Sequence, residues 1–245
     1  MDRTDGKESC YHAIPHCSMR SQSRGALIAV FCTAFIALFA SEANAQCTAR
    51  DVLQNHLTRK TTPSAKTPPS PVESAFAVPV WRTITVGTFA NSFALLNALD
   101  AAGCSTGSSA EEILARPAFT VGTRKTNVEL FAVSAAELGF QTDTARLADI
   151  YARAQQLGFE LAAAEVAPQL RLQYFDQSIG EFLIGMEPIK TWKGAPVILT
   201  VVNGGAGLVL IGRDGNADAE IPVASRFLFV RSNEAALAKA VRGGR

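Results

Sequence analysis

The chain has 245 residues, with 23 Lys and Arg against 22 Asp and Glu, and a formal charge of +1. So balanced a charge gives no strong pull on nucleic acid or an anionic membrane, and 48% hydrophobic residues are too many for a wholly disordered chain. Five cysteines, 18 glycines and 11 prolines, with no heptad run, exclude collagen, long coiled coils and disulfide-dense scaffolds.

Residues 26–40 read ALIAVFCTAFIALFA, with Thr33 alone polar. As a helix this run rises about 22 Å, short of the roughly 30 Å hydrocarbon core. Arg20 and Arg24 precede it, and Ala43-Asn44-Ala45 supplies the small-residue pattern that signal peptidase cuts. Residues 1–45 therefore read as a secretory signal peptide, cut after Ala45. An uncut anchor is the alternative. Met19 offers a more ordinary start for such a leader than Met1 does. The mature protein is expected in the periplasm or outside the cell, with no membrane span after cleavage. The leader carries four basic residues (Arg3, Lys7, Arg20, Arg24) and four acidic ones (Asp2, Asp5, Glu8, Glu42), so cleavage leaves the charge unchanged.

Cys10, Cys17 and Cys32 belong to the leader, which leaves Cys47 and Cys104. In an oxidising compartment this pair permits one disulfide closing a loop of about 57 residues, worth on the order of 4 kcal/mol by chain entropy. Two unpaired thiols are the alternative. Residues 46–80 form an N-terminal tail and linker, in which TRKTTPSAKTPPSPV (58–72) favours extended, polyproline-like backbone.

Residues 81–231 are expected to form a single α+β domain. Trp81–Val86 alternates and reads as a strand. Asn91-Ser92 caps a helix over Phe93–Ala102, and Ser109-Ala-Glu-Glu112 is a capping box for a short second helix. Val128–Val133 is a strand, followed by another capping box, Ser134-Ala-Ala-Glu137, with Gly139 allowing one turn only. The period of Leu147, Ile150, Tyr151, Ala154 and Leu157 predicts the main amphipathic helix over Thr144–Leu157, closed by Gly158.

Beyond Gly158 the period changes to two. Strands are predicted at Phe159–Leu161, Leu170–Tyr174, Phe182–Met186, Val197–Val202, Leu208–Ile211 and Phe227–Val230. Short turns between them imply a largely antiparallel sheet, with a small helical section N-terminal to it. Residues 232–245 form a tail with a helix-forming patch over Glu234–Val241.

Several words carry a resemblance: Trp81-Arg-Thr-Ile84, Ile113-Leu-Ala-Arg-Pro-Ala-Phe-Thr120, Val133-Ser-Ala-Ala-Glu-Leu-Gly-Phe140, Ile150-Tyr-Ala-Arg-Ala154, Ala164-Glu-Val-Ala-Pro-Gln-Leu-Arg-Leu-Gln-Tyr174, Asp176-Gln177, Gly180-Glu181 and Met186-Glu-Pro-Ile189. Together they resemble a family of uncharacterised bacterial proteins over roughly Trp81–Val230. The resemblance implies no activity and no catalytic residue. The family often has Gly where this chain has Ala167, and its C-terminal section is more aromatic.

All three histidines, His12, His16 and His56, precede the domain. A Ser-His-Asp or Cys-His enzyme would lack its base there, and a His-containing zinc site its ligands. No metal or cofactor is expected. Asn203-Gly-Gly-Ala-Gly207 lacks phosphate-loop spacing and is followed by a strand-like run, so a hairpin turn is the expectation.

Polar residues concentrate between Glu165 and Glu187. In a strand over Leu170–Tyr174, Gln169, Arg171 and Gln173 would form a polar row opposite an apolar one. Glu165, Asp176 and Glu181 are then candidate catalytic carboxylates, and Arg171, Gln173 and Gln177 candidate binding residues. A solvated sheet face with cross-strand ion pairs is the plainer alternative. Trp81 and Trp192 could stack on sugar or peptide, or serve as partly buried anchors.

The leading expectation is an exported, non-catalytic binding or interaction module with a protein or glycan partner and no nucleic acid. The alternatives are a carboxylate-dependent hydrolase of cell-envelope glycan and a structural envelope protein without a ligand.

Overall fold

The computed structural model describes Cys47, Thr48 and residues 70–231. The expected signal peptide, the linker up to residue 69 and the C-terminal tail lie outside the described residues. Strand β1 (Arg82–Val86) leads to helix α1 (Ser92–Ala101), where Asn91 Oδ1 accepts from the Ala94 N–H at 2.9 Å. Next come β2 (Ser105–Thr106) and α2 (Ser108–Leu114). The predicted capping box does not form here. Gly107 is the N-cap without a side-chain bond, and Glu112 instead accepts the main-chain N–H of Trp192.

Strand β3 (Thr126–Ser134) ends in the second predicted box, which does form. The Ser134 N–H donates to Glu137 Oε2 at 2.6 Å, and the Glu137 N–H donates back to Ser134 Oγ at 3.2 Å. The predicted main helix is shorter than its pattern. Thr144–Arg146 is strand β4, paired with β10 (Glu220–Pro222), and helix α3 occupies Leu147–Gln156. Pairing of Ala145 with Ile221, both buried, holds this first turn in the extended form.

Strand β5 (Phe159–Glu160) is followed by the main correction to the sequence reading. Leu170–Tyr174 is not a strand; it lies mostly within helix α4 (Val166–Gln173), whose end caps at Tyr174. Pro168 stands in the first turn of α4, where no intrahelical N–H is needed. The alternation of polar and apolar residues does not separate a wet face from a dry one. Gln169 and Arg171 are as buried as Leu170, because their polar atoms are bonded inside the protein.

The remaining strands are β6 (Gly180–Ile184), β7 (Ile189–Lys190), β8 (Pro196–Asn203), β9 (Leu208–Asp214) and β11 (Arg226–Arg231). The main sheet has the order β1-β3-β11-β6-β8-β9-β2, with β5 attached to β11 and β7 to β8. Its pairings are antiparallel except β11–β6 and β2–β9. The parallel pair arises because β11 returns after the β8–β9 hairpin and inserts between β3 and β6.

The aromatic part of the core follows from that insertion. Phe227 and Phe229 alternate along β11, so they share a face and stack at 5.7 Å between centroids. Tyr151 of α3 meets both edge-on, at 6.2 and 6.1 Å. Gly185 permits this packing, since a Cβ there would lie 2.3 Å from the Phe229 ring.

Candidate binding cleft

Helix α4 places its polar side chains against β1. The Thr85 N–H donates to Gln173 Oε1 at 2.9 Å, and Gln173 Nε2 donates to Thr85 O at 2.8 Å. One residue beyond β1, the Gly87 N–H donates to Glu165 Oε1 at 2.7 Å. Glu165 Oε2 accepts the Gly122 N–H at 2.6 Å, and Gln169 Nε2 adds a third bond at 3.0 Å. Glu165 is 3% exposed, and its charge is balanced by main-chain donors. Gly87 has φ +70, and a Cβ on it would lie 2.0 Å from Arg124 O, so the clasp depends on glycine there.

The other predicted carboxylates are held elsewhere. Asp176 pairs with Arg82 at 3.1 Å, beside β1. Glu181, on β6, pairs with Arg213 of β9 at 2.5 Å. Each of the three carboxylates therefore has its own partner in a different part of the fold.

Arg171 is fully buried. Its Nη1 donates to Gln177 Oε1 at 2.6 Å and its Nη2 to Tyr174 O, while Nε has no partner among the described residues. Burial lowers its pKa to about 10. Gln177 donates in turn to Gly180 O at 3.0 Å and Val201 O at 3.2 Å, and Asn203 Nδ2 donates to Gln177 O at 2.7 Å. The three predicted binding residues thus lie in internal bonding: Arg171 and Gln177 fasten the 174–180 connection, and Gln173 fastens β1.

Trp81 packs at 5.1 Å from Tyr174 and 4.8 Å from Phe182. Trp192 is 68% exposed on the β7–β8 turn, with the Arg116 guanidinium 3.9 Å from its ring centroid. Asn203–Gly207 is the turn of the β8–β9 hairpin.

Both sides of the sheet are partly covered at their outer strands. Gln173 and Glu165 cover β1 as above. Along β9, the Leu208 N–H donates to Cys47 O at 3.0 Å, β2 pairs with Val209 and Leu210, and Ser109 Oγ reaches Gly212 O at 3.5 Å. Cys47 is held there by its disulfide to Cys104, with the Cα atoms 4.7 Å apart. Such cover shortens the unpaired edges that invite aggregation.

The opening lies inside the sheet. β11 pairs with β3 through Phe229↔Phe131, and then Val230 and Arg231 pair with β5. Between β3 and this end of β11 lies a cleft of about 570 Å³. Arg231 lies 4.4 Å from the Phe131 ring centroid and pairs with Glu129 at 3.7 Å across the mouth of the cleft. Glu160 contributes a second carboxylate to the lining. Sequence reasoning missed this site, since neither Glu129 nor Glu160 stands out in its own segment.

Comparison with family models, with curated proteins and with solved structures finds no match for this chain.

Proposed function

We propose that this chain is an exported, non-catalytic binding module and that the cleft between β3 and the β5–β11 end is its binding site. The observation that carries the reading is the cleft itself, with mixed polar and apolar lining in a domain whose outer sheet edges are partly covered. The carboxylates Glu165, Asp176 and Glu181 are engaged by separate partners, which favours binding over acid–base hydrolysis. Export is supported by the leader-like sequence. The Cys47–Cys104 pair is compatible with an oxidising compartment, and among the described residues no helix is long and apolar enough to cross a membrane.

The test uses the mature chain, Gln46–Arg245, and its Val128→Trp variant, in which the larger side chain occupies the cleft. Both are titrated with short peptides and with envelope glycan fragments, reading thermal stabilisation and ligand turnover. The reading expects stabilisation of the parent by a ligand that fails to stabilise Val128→Trp, with no turnover. Hydrolysis of any fragment, or equal stabilisation of both proteins, overturns it.

A further inference from the structure

The bonds that seal β1 also determine which way β3 points. In an antiparallel pair, residues opposite one another either bond each other or both face away. Thr85 stands opposite Asn127, and both the N–H and the C=O of Thr85 are taken by Gln173. The main-chain groups of Asn127 therefore face away from β1. By the same alternation so do those of Glu129, which stands opposite Thr83. Both point towards the side on which β11 pairs with Phe131, and neither has a strand partner there among the described residues.

The lining has the character of a gap between strands. Cross-strand partners share a face and neighbours along a strand alternate. Thr83, Asn127, Glu129, Phe131 and Arg231 come from one face of the sheet. Val86, Thr126, Val128, Val230 and Glu160 come from the other. A depression on one surface would be lined from one face only.

Resting on the binding-module reading, we infer that the cleft accepts an extended peptide as an added strand along Thr126–Glu129. The consecutive lining residues Thr126–Glu129 of β3 span about 13 Å of extended chain. The occupant's main chain bonds the outward groups of Asn127 and Glu129, as in β-augmentation. Its side chains alternate. Those beside Val86 and Val128 are apolar. Those beside Asn127 and Glu129, the polar face, are basic, because the cleft as a whole holds two carboxylates, Glu129 and Glu160 on opposite faces, against the one cation Arg231.

The experiment measures fluorescence anisotropy of labelled Lys-Val-Lys-Val-Lys-Val with the mature chain. Two N-methylated versions block alternate sets of peptide N–H groups without altering the protein. The inference expects binding by the parent peptide, loss of at least tenfold in affinity for one N-methylated series, and little change for the other. It also expects weaker binding to Glu160→Lys. Equal affinity of both N-methylated series overturns the added strand. Binding of glycan fragments at the cleft without any peptide binding overturns this inference while leaving the binding-module reading intact. Peptide binding seen only when the chain ends at Arg231 overturns an outside partner, and identifies residues 232–245 as the occupant.

Discussion

The side-chain amide of Gln173 bonds both main-chain groups of Thr85, at 2.9 and 2.8 Å, as a neighbouring strand would. One helical residue thereby closes part of the edge of β1 and orients β3 towards the cleft.

Gln173→Ala removes both bonds and leaves the Thr85 groups exposed at the edge. Two neutral hydrogen bonds at this partly buried site contribute about 1–2 kcal/mol. A lower urea midpoint is expected, together with concentration-dependent light scattering from edge pairing. An unchanged midpoint with no added scattering would show that the seal is dispensable.

Glu165→Gln tests the clasp at the start of α4. The variant turns a donating NH₂ group towards one of two main-chain donors, Gly87 N–H or Gly122 N–H. A buried donor left without an acceptor costs about 1–3 kcal/mol. The expected readout is a loss of that size in denaturant unfolding, with faster amide exchange at Gly87 and Gly122. Wild-type exchange at both glycines would contradict the assignment.

Arg171 is a buried cation bonded to neutral groups. Its folded pKa of about 10 lies below the ordinary arginine value, so the unfolded chain binds the proton more tightly. The resulting destabilisation is present in full below about pH 10 and diminishes as pH rises above it. Arg171→Met removes that penalty but orphans the acceptors on Gln177, Tyr174 and Val202. The orphaned acceptors dominate, and a net loss of about 2 kcal/mol is expected at pH 7. A more stable variant at pH 7 would mean that the charge penalty is the larger effect.

The disulfide places Cys47 on the β9 edge. Non-reducing mass spectrometry of the mature chain should show a mass about 2 Da below the reduced form, and Cys104→Ala should cost on the order of 4 kcal/mol. Equal masses would leave the β9 edge without its covalent tether.

Local patterns made much of the sheet legible. The period-two runs at Arg82–Val86, Val197–Val202 and Phe227–Val230 and the capped helix after Asn91 all lie where their sequences place them. Strands β2 and β7 span two residues each, too few to show a period. Helix α4 is not legible in its own segment because Gln169, Arg171 and Gln173 alternate with Leu170 and Leu172, the pattern of a strand with one solvated face. Their partners, Thr88, Gln177 and Thr85, are brought in by the fold. The cleft was illegible for the same reason. It exists because the β3–β11 ladder stops at Phe131↔Phe229, a non-local event that leaves no mark within either segment.

The central claim is that the gap between β3 and β11 is where this protein binds. The most direct measurement is amide chemical-shift mapping of the mature chain titrated with the alternating Lys-Val peptide. The account predicts saturable shifts concentrated at Asn127, Glu129, Glu160 and Arg231, with slowed amide exchange at Asn127 and Glu129. Shifts centred elsewhere, or none at saturating peptide, would contradict it.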